Sequence, residues 1–503
     1  MSEPHGTASS SEGSTGLTRQ LGLVGLAATG ICSMLGAAIN VVPFMIQRSV
    51  PGIGPWVLPA FIFAAVPAVL AAVAYAILAS AMPRAGGSYI YASRGLNPYL
   101  GFVASFSQWF GLSVAIGVVS YVIVPFIRDV MTAVEMDAAA ALLDTGGVRV
   151  GIALAFLWSS VAINMRGLKL YERILVPLML LMFILGSVVI VAGFGSSPEA
   201  FAAGLMQAEG VAVPTAPESS FSFGRFLAAA AILFSSFIGF DSIAQAGGEA
   251  KNPSRALPLA IGIAVVTVGS FYFLFTAAVY NTVPWEFIAE RAQTQDLTAP
   301  GLLGYVLSPS WTVLIIAGAA IALINDLPAM LLAVSRLVFA WAEDGVFPRS
   351  VAVVHERWHT PHRALILSGL MASAAILGSH FAGDFFLGVD ILVTSMLVNF
   401  MVMCLTVLTL PGHNPAVAAD VTVLPQRSLQ VPLAAAGVGL LGLFLCVHVW
   451  KDLSADVGAW YFHSTPLWIF VMVLASAIYF RELSVLKREG VDTEALFLRL
   501  PPE

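Results

Sequence analysis

Apolar stretches of about 20 residues or more recur along the chain from Leu21 to Phe480, and each is long enough to cross hydrocarbon roughly 30 Å thick. Twelve are readable, near 21–47, 56–81, 99–127, 148–164, 171–194, 223–246, 257–283, 311–341, 364–382, 386–410, 431–450 and 465–480. Within a bilayer no water satisfies the backbone, so such spans fold as helices that bond their own amides. An all-α integral membrane protein is therefore expected. The composition agrees, with 10% of residues charged against roughly 25% in soluble domains. The lipid bilayer is the expected surrounding, and no nucleic-acid partner is expected.

Lys and Arg set the expected orientation. With a cytoplasmic amino terminus and twelve alternating spans, 17 of the 23 basic residues fall on the cytoplasmic side. The six on the other side are Arg48, Arg128, Arg149, Arg225, Arg291 and Lys451. This excess is the positive-inside pattern, so both termini are expected in the cytoplasm and the protein in the cell (plasma or inner) membrane. The segment 196–220 carries Glu199, Glu209 and Glu218 with no basic residue, as suits an outside loop. Residues 1–18 are rich in Ser, Gly and Thr without an apolar run, and read as a disordered tail rather than a cleavable signal.

Other chemistries leave little trace. Cys32, Cys404 and Cys446 lie within apolar spans and are expected as small buried hydrophobes, not a disulfide framework. His355, His359 and His362 share a polar loop with Glu356, Arg357 and Arg363, which reads as solvated. No metal site and no cofactor are expected. Without a Walker motif or nucleophile elbow, neither an ATP-driven pump nor an enzyme is expected.

Two spans are interrupted at matching places in the two halves. The first reads Gly30-Ile-Cys-Ser-Met-Leu-Gly36, the second Phe237-Ile-Gly-Phe-Asp241. Irregular backbone at membrane depth is tolerated only where it lines a cavity, and paired interruptions point to a transporter's central site. A break leaves N–H groups at the start of one half-helix and C=O groups at the end of the other. The N–H end suits a carboxylate and the C=O end an ammonium or metal cation, so a zwitterionic amino acid matches both. The alternative is that Gly30 and Gly36 serve only close helix packing.

The motifs around these breaks resemble those of a known family. Pro83-Arg-Ala-Gly-Gly-Ser-Tyr-Ile-Tyr91, followed by Arg94-Gly-Leu-Asn-Pro98, resembles the signature after the second helix of amino acid–polyamine–organocation (APC) permeases. Gly239-Phe-Asp241 through Glu249-Ala-Lys-Asn-Pro253 is similar to their sixth helix and the loop behind it. Ser335-Arg336, Glu343-Asp-Gly345 and Pro348 resemble the end of their eighth helix, and Thr360-Pro361 the start of their ninth. The resemblance covers residues from about 20 to 410. It implies a LeuT-like fold of 5+5 inverted repeats, with helices 1 and 6 broken and two peripheral helices added. The implied division is a cytoplasmic tail (1–18), a first repeat (19–194), an extracellular loop (195–222), a second repeat (223–410), a peripheral pair (431–480) and a second tail (481–503).

The implied activity is secondary transport of an amino acid by alternating access, coupled to H⁺ or Na⁺. Transport or exchange of an amine or polyamine is the alternative. A non-transporting sensor is a third reading, disfavoured by tails too short for a signalling domain.

By the resemblance, the backbone of Leu35, Gly36, Ala37 and Ala38 receives the substrate carboxylate, and carbonyls near Met34, Ser235 and Ile238 hold its amino group. Family members often show Gly-Ser-Gly or Gly-Thr-Gly in the first helix. Here Gly36-Ala-Ala38 lacks the hydroxyl, and Ala38 adds a methyl. At the family's covering aromatic stands Ser235, so Phe234, Phe237 or Phe240 is expected to cover the ligand. Asp241, beside Gly239, either senses a cationic substrate group or accepts from freed backbone donors.

Asp326 is the less expected feature. A charged residue at a helix centre costs roughly 2.5–3.5 kcal/mol on insertion scales, and Asp326 sits mid-span beside Asn325, two residues before Pro328. That proline cannot donate to the carbonyl of Ile324. Oxygen ligands so crowded suit a hard cation or a proton. Many proton-coupled or exchanging members of the family place a lysine of the fifth helix here, where this chain has Met182. Asp326 is therefore the candidate coupling group for Na⁺ or H⁺, with Asn325 and carbonyls near Cys32 and Leu35. The alternative is a structural Asp bonded to Asn325 or Ser33. Asp384 and Asp390 open the tenth span and read as interfacial or structural.

Overall fold

The computed structural model describes residues 16–36, 38–215, 220–382 and 385–501. Ala37, the side chain of Ala38, Glu218, Asp384 and most of the 1–18 tail lie outside the described residues. Twelve helices among those described are long and apolar enough to cross a membrane. They are α1 (Leu23–Ser49), α2 (Gly54–Ala81), α3 (Pro98–Ala133), α4 (Gly146–Met165), α5 (Leu168–Gly195) and α6 (Phe223–Gln245). The second six are α7 (Pro253–Thr282), α8 (Pro309–Glu343), α9 (His362–Phe381), α10 (Leu387–His413), α11 (Arg427–Ser454) and α12 (Ser464–Arg488). Each falls on one of the twelve apolar stretches read from the sequence.

Local chemistry sets several boundaries. Asn97 accepts from the amides of Tyr99 and Leu100 at 3.0 and 3.1 Å, starting α3 with Pro98 at its first position, where a missing N–H costs nothing. Pro328 lies inside α8, and the side-chain amide of Asn164 on α4 donates to its carbonyl at 3.1 Å.

The interrupted helices are the core. α1 and α6 are buried over 94% and 89% of their central windows, whereas α4 and α12 are buried over 22% each. A helix enclosed by other helices can spare backbone hydrogen bonds that lipid could not replace. α11 and α12 are peripheral, buried over 28% and 22%.

The first break is narrower than the glycine spacing implies. α1 is helical from Leu23 to Met34 and again from Ala38 to Ser49. Gly30 is thus inside the helix, and close packing explains it. A Cβ there would lie 2.7 Å from Ile243 Cγ1 and 3.2 Å from Ala264 Cβ. In α6 the helix ends at Leu233, tightens to 3₁₀ over Phe234–Phe237, turns extended at Ile238 and resumes at Ser242. Gly239 takes φ +129°, a conformation side chains rarely adopt. One cysteine departs from expectation: Cys32 and Cys404 are buried, but Cys446 is exposed, because its position on the peripheral α11 faces away from the bundle.

Candidate binding site at the helix breaks

The two breaks cross. A Cβ on Gly239 would overlap the carbonyl oxygen of Ser33 and lie 2.8 Å from the amide nitrogen of Met34. The Ser33 and Ser242 hydroxyls share a hydrogen bond of 2.8 Å, and the Tyr272 hydroxyl on α7 donates to the Met34 carbonyl.

Beside the crossing is a cavity of about 70 Å³. Ser33, Met34, Gly36, Ser235, Ile238 and Asp326 line it, with Val118 and Val119 from α3, Met330 from α8 and Leu392 from α10. Asp326 is 4% exposed. Its Oδ1 is buried without a hydrogen-bond partner, and its Oδ2 lies where a Cβ on Gly36 would fall. The Ser235 hydroxyl is also buried and unpartnered. No Lys, Arg or His is among the cavity's lining residues, so its one formal charge is the Asp326 carboxylate.

The expected site residues do not all meet in one place. Met34, Gly36, Ser235, Ile238 and Asp326 meet at the cavity. Leu35 faces a smaller void of about 30 Å³ with Asn40 and Met182. Asn325 points elsewhere than its neighbour Asp326: its amide reaches Cys32 Sγ at 3.1 Å and the Leu175 carbonyl at 3.3 Å, tying α8 to α1 and α5. Asp241 is off the cavity. Its Oδ1 accepts from the Gly239 amide at 3.1 Å and its Oδ2 from Gln108, which is the freed-donor role. Gln108 in turn accepts from Gln245 at 3.3 Å, and Gln245 donates to Ser88 at 2.7 Å.

None of the three candidate covering phenylalanines lines the cavity. Phe234 packs on Phe400 and Phe444, Phe237 on Phe61, and Phe240 on Tyr75 and Phe400. Two amides expected to meet a carboxylate are already engaged. Leu35 N–H donates to the Ile31 carbonyl at 2.8 Å and Gly36 N–H to the Met34 carbonyl at 3.0 Å.

The face bearing the termini is closed by two buried ion pairs built from motif residues. Arg336 holds Glu249 through two bonds of 2.9 and 2.5 Å, and Arg94 holds both oxygens of Asp344. Residues 499–501 reach the same place, as Arg94 Nε donates to the Arg499 carbonyl at 3.1 Å and Arg84 Nε to that of Pro501 at 2.9 Å. On the opposite face a vestibule of about 380 Å³ opens, and Val118 lines both it and the central cavity. Asp390, at that face, has its carbonyl within 3.2 Å of His448 Nε2 on α11, a structural contact.

A bundle with paired helix breaks around a buried cavity, ion pairs across one face and a vestibule at the other, has the architecture of a membrane transporter. The chain belongs to the amino acid permease family, whose model matches residues 21–477, within the APC group. It is 25% identical over 502 residues to the methylthioribose transporter of Bacillus subtilis, covering 97% of this chain and 98% of that one. It is 28% identical over 381 residues to cationic amino acid transporter 4 of Mus musculus, covering 72% and 56% respectively. It is 26% identical over 349 residues to a low-affinity putrescine importer of Escherichia coli, covering 68% and 69%. These relatives are transporters, and the chain is read as one rather than as an enzyme.

Proposed function

We propose that this protein moves a small ammonium-bearing solute, an amino acid or an amine, across the cell membrane by alternating access, with Asp326 as the cation-binding group of the central cavity. The observation that carries the reading is Asp326 itself: a carboxylate with a buried unpartnered oxygen, at the α1 break, in a cavity without a basic side chain. An isolated buried carboxylate is costly and is retained where it meets a cation or proton. In the amino acid reading, that cation is a coupled Na⁺ or H⁺. One charge crossing 100 mV releases about 2.3 kcal/mol, enough for roughly fifty-fold accumulation.

One observation favours the amine reading. The Leu35 and Gly36 amides are already bonded within the chain, leaving the carboxylate weakly served, whereas an amine needs only the anion. One of the relatives named above is a putrescine importer, and putrescine is an amine without a carboxylate. With both termini cytoplasmic, as the basic residues suggest, the closed face is the inner one and the vestibule faces outward. Residues 19–194 and 223–410 are then the two inverted repeats, and 431–480 an accessory pair.

Ligand-induced thermal stabilisation across amino acids, amines and polyamines, each in Na⁺ and in K⁺, tests the reading. Stabilisation scales with ligand concentration over Kd. Amino acid stabilisation that deepens with Na⁺ supports coupling; stabilisation by amines indifferent to Na⁺ supports the amine carrier. Asp326→Asn is expected to abolish cation dependence and accumulation, and unchanged values for both would sink the role of Asp326.

A further inference from the structure

The outward vestibule carries its own unused charge. Three arginines line it. Arg48 lies 3.1 Å from Asp296, and Arg128 lies 2.7 and 2.8 Å from Asp129 and Asp144. Arg149, at the start of α4, differs from both. Among the described residues no carboxylate lies within ion-pairing distance of it, and its Nε is shielded from solvent without a hydrogen-bond partner. Its guanidinium instead stacks over the ring of Tyr121, 3.8 Å from the centroid, and the Tyr121 hydroxyl is fixed by His380 Nδ1 at 3.0 Å.

Position gives this cation its meaning. Tyr121 is three residues beyond Val118 on α3, which places it about one helical turn outward. Val118 is the residue shared by the vestibule and the central cavity. Arg149 therefore stands on the path into the cavity, one turn before it. Stacking on an aromatic face offsets part of the desolvation of a guanidinium, whose planar fork of donors matches a planar anion; Asp144 acts on Arg149 only at longer range than an ion pair. The cavity beyond presents the opposite sign in Asp326.

We propose that Arg149 is a carboxylate-receiving station in the vestibule, where an entering amino acid docks its carboxylate before its ammonium passes to the central site. The proposal rests on the transport reading above and adds to it a first-encounter subsite selective for carboxylate-bearing solutes. Arg149 is a positioning residue here, with Tyr121 holding its plane.

Arginine-selective labelling tests it on the full-length protein in nanodiscs. Phenylglyoxal modification of Arg149 is followed by peptide mass spectrometry with acetate, leucine or isopentylamine present, in zwitterionic and in anionic lipid. Acetate and leucine are expected to suppress labelling of Arg149 in both lipids, and isopentylamine to leave it unchanged. Labelling indifferent to carboxylates overturns the proposal. Protection that requires anionic lipid also overturns it, assigning the site to a headgroup phosphate.

A second arm uses proteoliposome uptake of an amino acid and of its decarboxylated amine. Arg149→Gln is expected to raise KM for the amino acid about tenfold, the loss of one charge-assisted hydrogen bond, with kcat and the amine's KM unchanged. Equal losses for both solutes overturn the proposal in favour of a packing role for the Arg149–Tyr121 stack. Should the wild-type protein transport neither solute, the transport reading fails by itself, and the labelling result still decides for or against the carboxylate site.

Discussion

Replacing Gly239 with alanine tests whether the crossing of the two breaks holds the site together. At φ +129° a side chain costs about 1–3 kcal/mol of backbone strain. The new Cβ would overlap the Ser33 carbonyl oxygen, with the Ser33 carbonyl carbon at 2.5 Å and the Met34 nitrogen at 2.8 Å. All three are backbone atoms, so no rotamer change relieves the overlap, and α1 must move off α6. Overpacking of this kind adds about 1–3 kcal/mol, for a total of about 2–6 kcal/mol. Separation of the helices also breaks the Ser33–Ser242 bond, so binding is expected to fall along with stability. The assay is thermal unfolding of the purified protein, with Gly269→Ala as control. There the nearest atom to an added Cβ is Phe237 Cε1 at 3.5 Å, an ordinary contact. A Gly239→Ala protein that melts with the control and binds ligand normally would refute the reasoning.

Gly36→Ala is the contrasting case, because its Cβ meets the end of the Asp326 side chain rather than backbone. The carboxylate is expected to swing aside at little cost to the melting temperature, while cation dependence of uptake changes; unchanged dependence would detach Asp326 from the ion. Arg336→Ala leaves Glu249 as an uncompensated charge with 0% exposure and is expected to cost about 3–5 kcal/mol. The double variant Arg336→Met/Glu249→Leu should recover much of that in the same melting assay. In the segment between α5 and α6, Glu209 accepts from Tyr305 and pairs with Arg291. These partners hold its carboxyl below the usual range, the Tyr305 bond contributing most. A depressed acid stabilises the fold above its unfolded pKa and loses that contribution as pH falls through its folded value. Protection of the 198–209 amides, taken relative to the intrinsic exchange rate at each pH, should therefore fall in acid, and fall less in Tyr305→Phe, which lacks the largest contributor.

The number of spans, their order and the two interruptions were legible in the chain because hydrophobic length and helix-breaking residues are local quantities. So was the presence of an acidic residue, Asp326, in the middle of an apolar span, since a charge there is visible without any neighbour. The glycines were read less accurately: Gly30 and Gly36 look alike in the sequence, yet one packs inside a helix and the other borders the break.

What tertiary structure alone decided is direction. Successive helical residues are rotated by roughly 100°, so Asn325 and Asp326, adjacent in the chain, serve different neighbours, one tying α8 to α5 and the other facing the cavity. Asp241 turns inward to its own break and Gln108, and Phe234, Phe237 and Phe240 pack away from the cavity. The ion pairs at the closed face join residues 250 and 87 positions apart, and Arg149 on α4 meets the Tyr121 ring on α3 at the vestibule. Helix rotation follows from how small and large side chains interlock across the bundle, and that is a property of pairs of helices that no single span carries.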